Sequence, residues 1–206
     1  ITTSSLAKIA ILPESAATVE NVDYLQQRVI VVWAKQSASP VDGKVAAHRL
    51  ITAGANGIVT GSPATALEAL KVYSNETTLL RKPYVIGHRG IPSEAPENTI
   101  ESNKLSILYG ADFIENDIFV TKDDRLVIIH DTVLQNTTNG SGNVENFTLA
   151  ELRQLNANVS GRFPQYGELK IPTLDEQIDL AKEQGVMIYA EIKTSNPRAV
   201  EVLVDL

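Results

Sequence analysis

The chain has 206 residues, 43% hydrophobic and 21% charged, which allows one substantial core or two small ones. A net charge of −7 with scattered basic residues argues against a nucleic-acid surface, and the absence of cysteine excludes disulfides and thiolate metal sites. No window holds eighteen uncharged apolar residues, so no membrane span is expected, and the opening Ile1-Thr2-Thr3-Ser4-Ser5 lacks the basic start and apolar run of a signal peptide. The compartment, extracellular or cytoplasmic, is left open. Any bound metal must be held by oxygen ligands and histidine, which favours Mg²⁺, Ca²⁺ or Mn²⁺ over structural zinc.

In chain order, short β-branched runs predict strands over residues 8–12, 29–33, 55–59, 84–88, 113–120, 125–130 and 186–193. Between most of them lie helical stretches, at residues 18–27, 43–52, 64–73, 95–109 and 174–184. This alternation reads as a parallel α/β sheet. Thr173 is placed as an N-cap before Asp175 and Glu176, with Gly185 as the C-cap; Gly110 closes the preceding helix in the same way. Leu79-Leu80-Arg81-Lys82-Pro83 reads as a linker, because a helical stretch ends there at a proline. Residues 136–146, rich in Asn, Thr, Gly and Ser, read as a loop, and a second loop runs over 156–172.

The ionisable residues of interest fall at strand ends. His88 closes Val85-Ile86-Gly87, and Glu115 and Asp117 lie two apart, so a strand turns both to one face. His130 ends Leu126-Val127-Ile128-Ile129, and Glu191 and Lys193 are again two apart. If these four strands run parallel, their carboxyl ends share one face, where barrel active sites sit. Trp33 reads as core packing, His48 as a surface residue, and Glu97 equally as a first-turn helix acid or a site residue. Five Asn-x-Ser/Thr triplets, at Asn75, Asn136, Asn139, Asn146 and Asn158, are accounted for by composition.

Gly87-His88-Arg89-Gly90, Ala95-Pro96-Glu97-Asn98-Thr99, Glu115-Asn116-Asp117 with Thr121-Lys122-Asp123, His130-Asp131, Ile171-Pro172-Thr173-Leu174 and Ala190-Glu191-Ile192-Lys193 resemble the ordered motifs of the glycerophosphodiester phosphodiesterase family, over residues 84–193. The resemblance implies a (β/α)8-barrel fold, with residues 84–206 as its N-terminal half. It implies His88 and His130 as the acid–base pair, and Glu115, Asp117 and Glu191 as ligands of a divalent cation, Mg²⁺ or Ca²⁺. Asn116 stands where the family commonly has an apolar residue and would face away from the two acids. Arg89 could fork onto phosphate oxygens and Lys193 could add a point charge. The implied activity is hydrolysis of small glycerophosphodiesters to glycerol 3-phosphate and an alcohol.

Two rivals stand beside it: a phospholipase-D-like lyase of the same superfamily, and a catalytically inert binding or structural module. Residues 1–78 resemble the C-terminal βα units of a related barrel, through the strand ending at Trp33 and the run Gly54 to Pro63. Gly61 occupies the place of an Asp there, which counts against a catalytic role for that half. The barrel is thus expected to be partial, permuted or shared between the halves. Uncovered strand edges would call for a partner, a second copy among them.

Overall fold

The computed structural model describes residues 7–37, 43–73 and 83–206. The chain divides into two compact units. Unit 1 takes the described residues up to Gly87 together with Tyr109–Asp112, and unit 2 takes His88–Leu108 and Phe113–Leu206. Of the expected linker only Pro83 is described, and residues 79–82 lie outside the described residues.

Unit 1 contains β1 (Ile9–Pro13), α1 (Val19–Gln26), β2 (Val31–Lys35), α2 (Gly43–Thr52), β3 (Gly57–Thr60), α3 (Pro63–Lys71) and β4 (Tyr84–His88), whose last residue opens unit 2. β1 pairs with β2, β2 with β3 and β3 with β4, all parallel. Thr18 caps α1 by accepting from the Asn21 amide, and Pro63 starts α3, where its missing N–H costs no helix bond. Trp33 is 3% exposed, as expected of a core residue. A Cβ on Gly57 would stand 2.9 Å from Trp33 Cδ1, so the indole fixes that position as glycine. Buried Asn56 accepts from the Val32 amide and from Gln26 Nε2. The segment Tyr109–Asp112 clamps β4 twice: the Val85 amide donates to Asp112 Oδ2, and the Asp112 amide donates to the Val85 carbonyl, both at 2.8 Å.

Two expectations are corrected in unit 1. The strand expected from residue 29 begins at Val31, because Val29 closes the turn after α1 with a left-handed backbone (φ 58°) and an 86% exposed side chain. His48 is half-buried rather than free on the surface, its Nδ1 lying 3.1 Å from the Tyr73 hydroxyl.

Unit 2 is built on β5 (Phe113–Val120), with α4 (Ile100–Leu108), β6 (Leu126–Ile128), α5 (Leu149–Leu152), α6 (Leu174–Gln184), β7 (Met187–Ile192) and α7 (Arg198–Val204). β5 pairs parallel with β7. Its pairing with β6 is antiparallel, contrary to the all-parallel expectation. The reason lies in Thr121–Arg125: the Thr121 hydroxyl donates to Asp123, Asp124 adopts φ 58°, and the Thr121 amide donates to the Arg125 carbonyl. That closes a tight hairpin.

Both faces of β5 are covered. Phe119 packs with Val127, Ile129, Leu134 and Ile171 on one side, while Ile118 and Val120 pack with Leu126, Leu174 and Ala199 on the other. Helix α6 carries the expected ends, a capping box between Thr173 and Glu176 and Gly185 at φ 67°. The helix expected from residue 95 starts only at Ile100. Ahead of it Asn98 takes φ 56°, the Thr99 hydroxyl donates to the Pro96 carbonyl, and the chain turns instead of coiling.

Candidate active site

The site belongs wholly to unit 2. On β5, Glu115 and Asp117 point to the same face and are 2% and 0% exposed. In register beside them on β7 stand Tyr189, opposite Glu115, and Glu191, opposite Asp117. One carboxylate oxygen from each of Glu115, Asp117 and Glu191 lies within 4.8 Å of the others. Three carboxylates gathered this tightly, two of them shut off from water, would repel one another strongly unless positive charge stood among them.

Two cationic side chains do stand there. Lys193 Nζ is 3.1 Å from Glu191 and 3.6 Å from Asp117 Oδ1, and Arg89 Nε is 3.3 Å from Asp117 Oδ2. Burial alone would lower the Lys193 pKa, but its hydrogen bond to Glu191 and the nearby Asp117 and Glu191 charges raise it overall. Burial, then the charges of Glu191 and Glu115, push the Tyr189 hydroxyl up.

The donor set suits a hard cation: all three candidate ligands are carboxylates, and Asp117 Oδ1 is buried without a hydrogen bond from any described residue.

His88, at the end of β4, holds its Nε2 4.0 Å from Glu115 Oε2. The corner after it is strained and heavily braced. Arg89 has φ 56°, its amide donates to Glu115 Oε2 at 2.9 Å, and its carbonyl accepts from the Asn98 amide and the Ser102 hydroxyl. Such a backbone persists where surrounding contacts over-determine it. Gly90 follows at φ 82°, and a Cβ there would lie 2.4 Å from Ser102 Oγ and 2.7 Å from the Ser102 backbone. The Arg89 side chain also pairs with Glu97 at 3.1 Å. Glu97 precedes α4, so the helix-dipole reading gives way to one in which it aims the guanidinium.

His130 arrives by a route the strand-end argument did not contain. The hairpin turns the chain back along β5, and the Ile129 amide donates to the Asp117 carbonyl. His130 Nδ1 lies 2.7 Å from Asp131 Oδ1, and Asn136 Nδ2 donates to the other Asp131 oxygen at 2.7 Å. Partial burial opposes ionisation of Asp131, yet the hydrogen bonds from Asn136 and His130 outweigh it and hold the carboxyl below its ordinary range. An ionised Asp131 orients the imidazole and fixes its proton on Nδ1, leaving Nε2 as the basic atom.

The structure therefore brings Glu115, Asp117, Glu191, Lys193, Arg89 and His88 into one contact network. His130 joins through its neighbour Ile129, bonded to Asp117. Glu97, Asn98, Asp131 and Tyr189 complete it. Asp131 adjoins a candidate histidine in sequence; Tyr189 lies at the two-residue strand spacing from Glu191, a signal available but unused.

The chain is similar to known proteins over the same region. The model of the Glycerophosphoryl diester phosphodiesterase family matches residues 88–204. A glycerophosphodiester phosphodiesterase of Caldanaerobacter subterraneus is 43% identical over 113 residues, covering 55% of this chain and 46% of that protein. One of Bacillus subtilis is 42% identical over 127 residues, covering 58% and 43%. The chain thus spans less than half the length of these two relatives.

Among solved structures, an Oleispira antarctica phosphodiesterase in complex with the product sn-glycerol-3-phosphate superposes with a TM-score of 0.56 at 36% identity, over 60% of this chain and 51% of that one. A glycerophosphodiester phosphodiesterase from Agrobacterium tumefaciens gives 0.53 at 34% identity, over 59% and 52%. The α/β fold is accordingly a partial barrel of the (β/α)8 type. With more than half of its residues matched, the chain belongs to the Glycerophosphoryl diester phosphodiesterase family.

Proposed function

We propose that unit 2 carries the cation-and-histidine side of a site that hydrolyses glycerophosphodiesters, such as deacylated phospholipids, to glycerol 3-phosphate and an alcohol. The observation that supports this most is the carboxylate trio, two of its members buried, closed to within 4.8 Å and flanked by His88. The named activity of the relatives and the product in the Oleispira antarctica structure point the same way.

In this reading Glu115, Asp117 and Glu191 hold Mg²⁺ or Ca²⁺, which when bound would polarise a phosphoryl oxygen and offset the charge that grows on it. Arg89 and Lys193 orient the phosphodiester, the first through its planar fork and the second as a point charge. His130, its Nδ1 proton held by Asp131, takes up a proton at Nε2, while His88 serves as its acid–base counterpart on the Glu115 side. Residues 1–78 we assign as C-terminal βα units of a related barrel, on the strength of their alternation of parallel strands and helices. The exposed Met187 and Ile192 of β7 make a second copy of this chain the proposed cover for that strand. Its mass in solution tests the point, and a monomer at all concentrations would refute it.

The function is tested by following a glycerophosphodiester and its products by phosphorus NMR with Mg²⁺ or Ca²⁺ added. Glycerol 3-phosphate is the expected product. An accumulating cyclic phosphate would favour the lyase reading, and no turnover with either cation would favour the inert module.

A further inference from the structure

Asn116, between the two acids of β5, does turn away from the carboxylates, but it is not idle. It is 0% exposed and is the middle link of three buried amides. Asn103 Nδ2, from α4, donates to Asn116 Oδ1 at 3.0 Å, and Asn116 Nδ2 donates to Asn98 Oδ1 at 3.1 Å. Asn98 Nδ2 then donates to Asp117 Oδ2 at 2.9 Å. Asn103 and Asn98 are themselves 0% and 4% exposed.

The direction of these bonds carries the argument. A primary amide can present either its oxygen or its NH₂ to a neighbour, and nothing in the Asn98 side chain alone decides which. Two donors meet the Asn98 oxygen, the Asn116 NH₂ at 3.1 Å and the Asp117 backbone amide at a longer 3.4 Å, so the Asn98 NH₂ must face the carboxylate. Reversed, the Asn98 oxygen would confront Asp117 Oδ2 in a buried setting and repel it. Asn98 also sits at φ 56°, a left-handed conformation that asparagine tolerates, and its amide is fixed to the Arg89 carbonyl. Its backbone is pinned, and only the sense of its amide remains to be set. Oδ2 of Asp117 is engaged by Asn98 and paired with Arg89, which leaves Oδ1, with Lys193 Nζ 3.6 Å away, as the oxygen to face the carboxylate trio.

We propose that Asn116 is a positioning residue for the cation site, acting through Asn98 to fix which oxygen of Asp117 faces the trio, with Asn103 fixing Asn116 in turn. This rests on the reading of Glu115, Asp117 and Glu191 as cation ligands. Partners one shell out from a metal ligand typically alter metal affinity about 10–100-fold when removed.

The test is a calorimetric titration of the whole chain with Ca²⁺ and with Mn²⁺, alongside thermal unfolding of each variant. Asn116→Leu is expected to weaken binding by at least about tenfold. Asn98→Gly, which keeps the left-handed backbone, should weaken it similarly, and Asn116→Leu should add little in the Asn98→Gly background, since the two act on one path. Because Asn116→Leu strands the buried Asn103 amide, the double variant Asn103→Leu, Asn116→Leu is included. It should unfold close to the parent yet bind as weakly as Asn116→Leu. Affinity in the double variant within about twofold of the parent, or full additivity with Asn98→Gly, overturns the proposal alone if Asp117→Asn still abolishes binding. A parent chain that binds neither cation overturns the underlying reading and the proposal with it.

Discussion

Just past β2 and at the end of β3 in unit 1, the buried polar side chains Gln36 and Thr60 are neutral and satisfy one another. Thr60 donates to Gln36 Oε1 at 2.6 Å, and Gln36 Nε2 donates to the Gly43 carbonyl. Along β5 and β7 in unit 2, three carboxylates crowd within 4.8 Å, balanced by Arg89 and Lys193. Among the described residues no comparable acidic trio exists in unit 1. Both regions are parallel strands flanked by helices, so the scaffold demands neither arrangement. Gathered buried charge costs folding energy that neutral pairs do not, and its presence in one unit marks where chemistry rather than stability sets the residues.

The contrast breaks most sharply under substitution of the proposed proton carriers. His130→Ala and His88→Ala should each lower glycerophosphodiester turnover by about 10²–10⁴-fold with an unchanged circular-dichroism spectrum. Thr60→Val, in the neutral cluster of unit 1, should leave turnover within about twofold, since it touches no proton-transfer group. Steady-state kinetics on purified variants checks both, and equal losses from the two units would dissolve the distinction.

The glycines sharpen it at intermediate size. Gly57→Ala, which drives a methyl into Trp33, should destabilise by about 1–3 kcal/mol in denaturant titration without altering cation binding. Gly90→Ala meets a left-handed backbone costing about 1–2 kcal/mol as well as an overlap with Ser102, and should disturb the Arg89 corner and therefore activity.

The smallest effect is in the frame of unit 2. Partial burial favours the neutral acid of Glu176, but hydrogen bonds from the Thr173 amide and from Arg153 outweigh it and lower the pKa from 4.5. A lowered folded-state pKa means the stabilisation is complete above about pH 4.5 and is lost as pH falls through the folded value. Glu176→Gln should cost about 0.5–2 kcal/mol at pH 7 through the weakened cap and flatten that part of the acid limb. Unfolding midpoints measured from pH 7 to pH 3 decide it.

Much of unit 2 could be read from local signals. The capping box of α6 lies within four consecutive residues, and the strand carrying Glu115 and Asp117 shows its facing pattern over its own length. The antiparallel return of β6 escaped because a β-branched run has no inherent direction; the Thr121-Lys122-Asp123-Asp124 turn held that information. Short α5 and α7 were too brief for periodicity to register. The roles of Asn98 and Asn116 were out of reach for another reason: their bond joins the turn before α4 to the middle of β5, and amide direction is set only by what is packed alongside.

The hairpin also orders the assembly of the site in time. β5 and β6 are near neighbours along the chain, so their contact closes a short loop and forms early, whereas β7 must return from beyond α5 and α6 before Glu191 can stand opposite Asp117. Ile129, the neighbour of His130, is therefore bonded to Asp117 through an early, local contact, and Glu191 is set opposite Asp117 by a late one. During refolding, acquisition of cation affinity should trail the burial of Phe119 against Val127 and Ile129, so a chain caught midway has its hairpin closed and its trio incomplete.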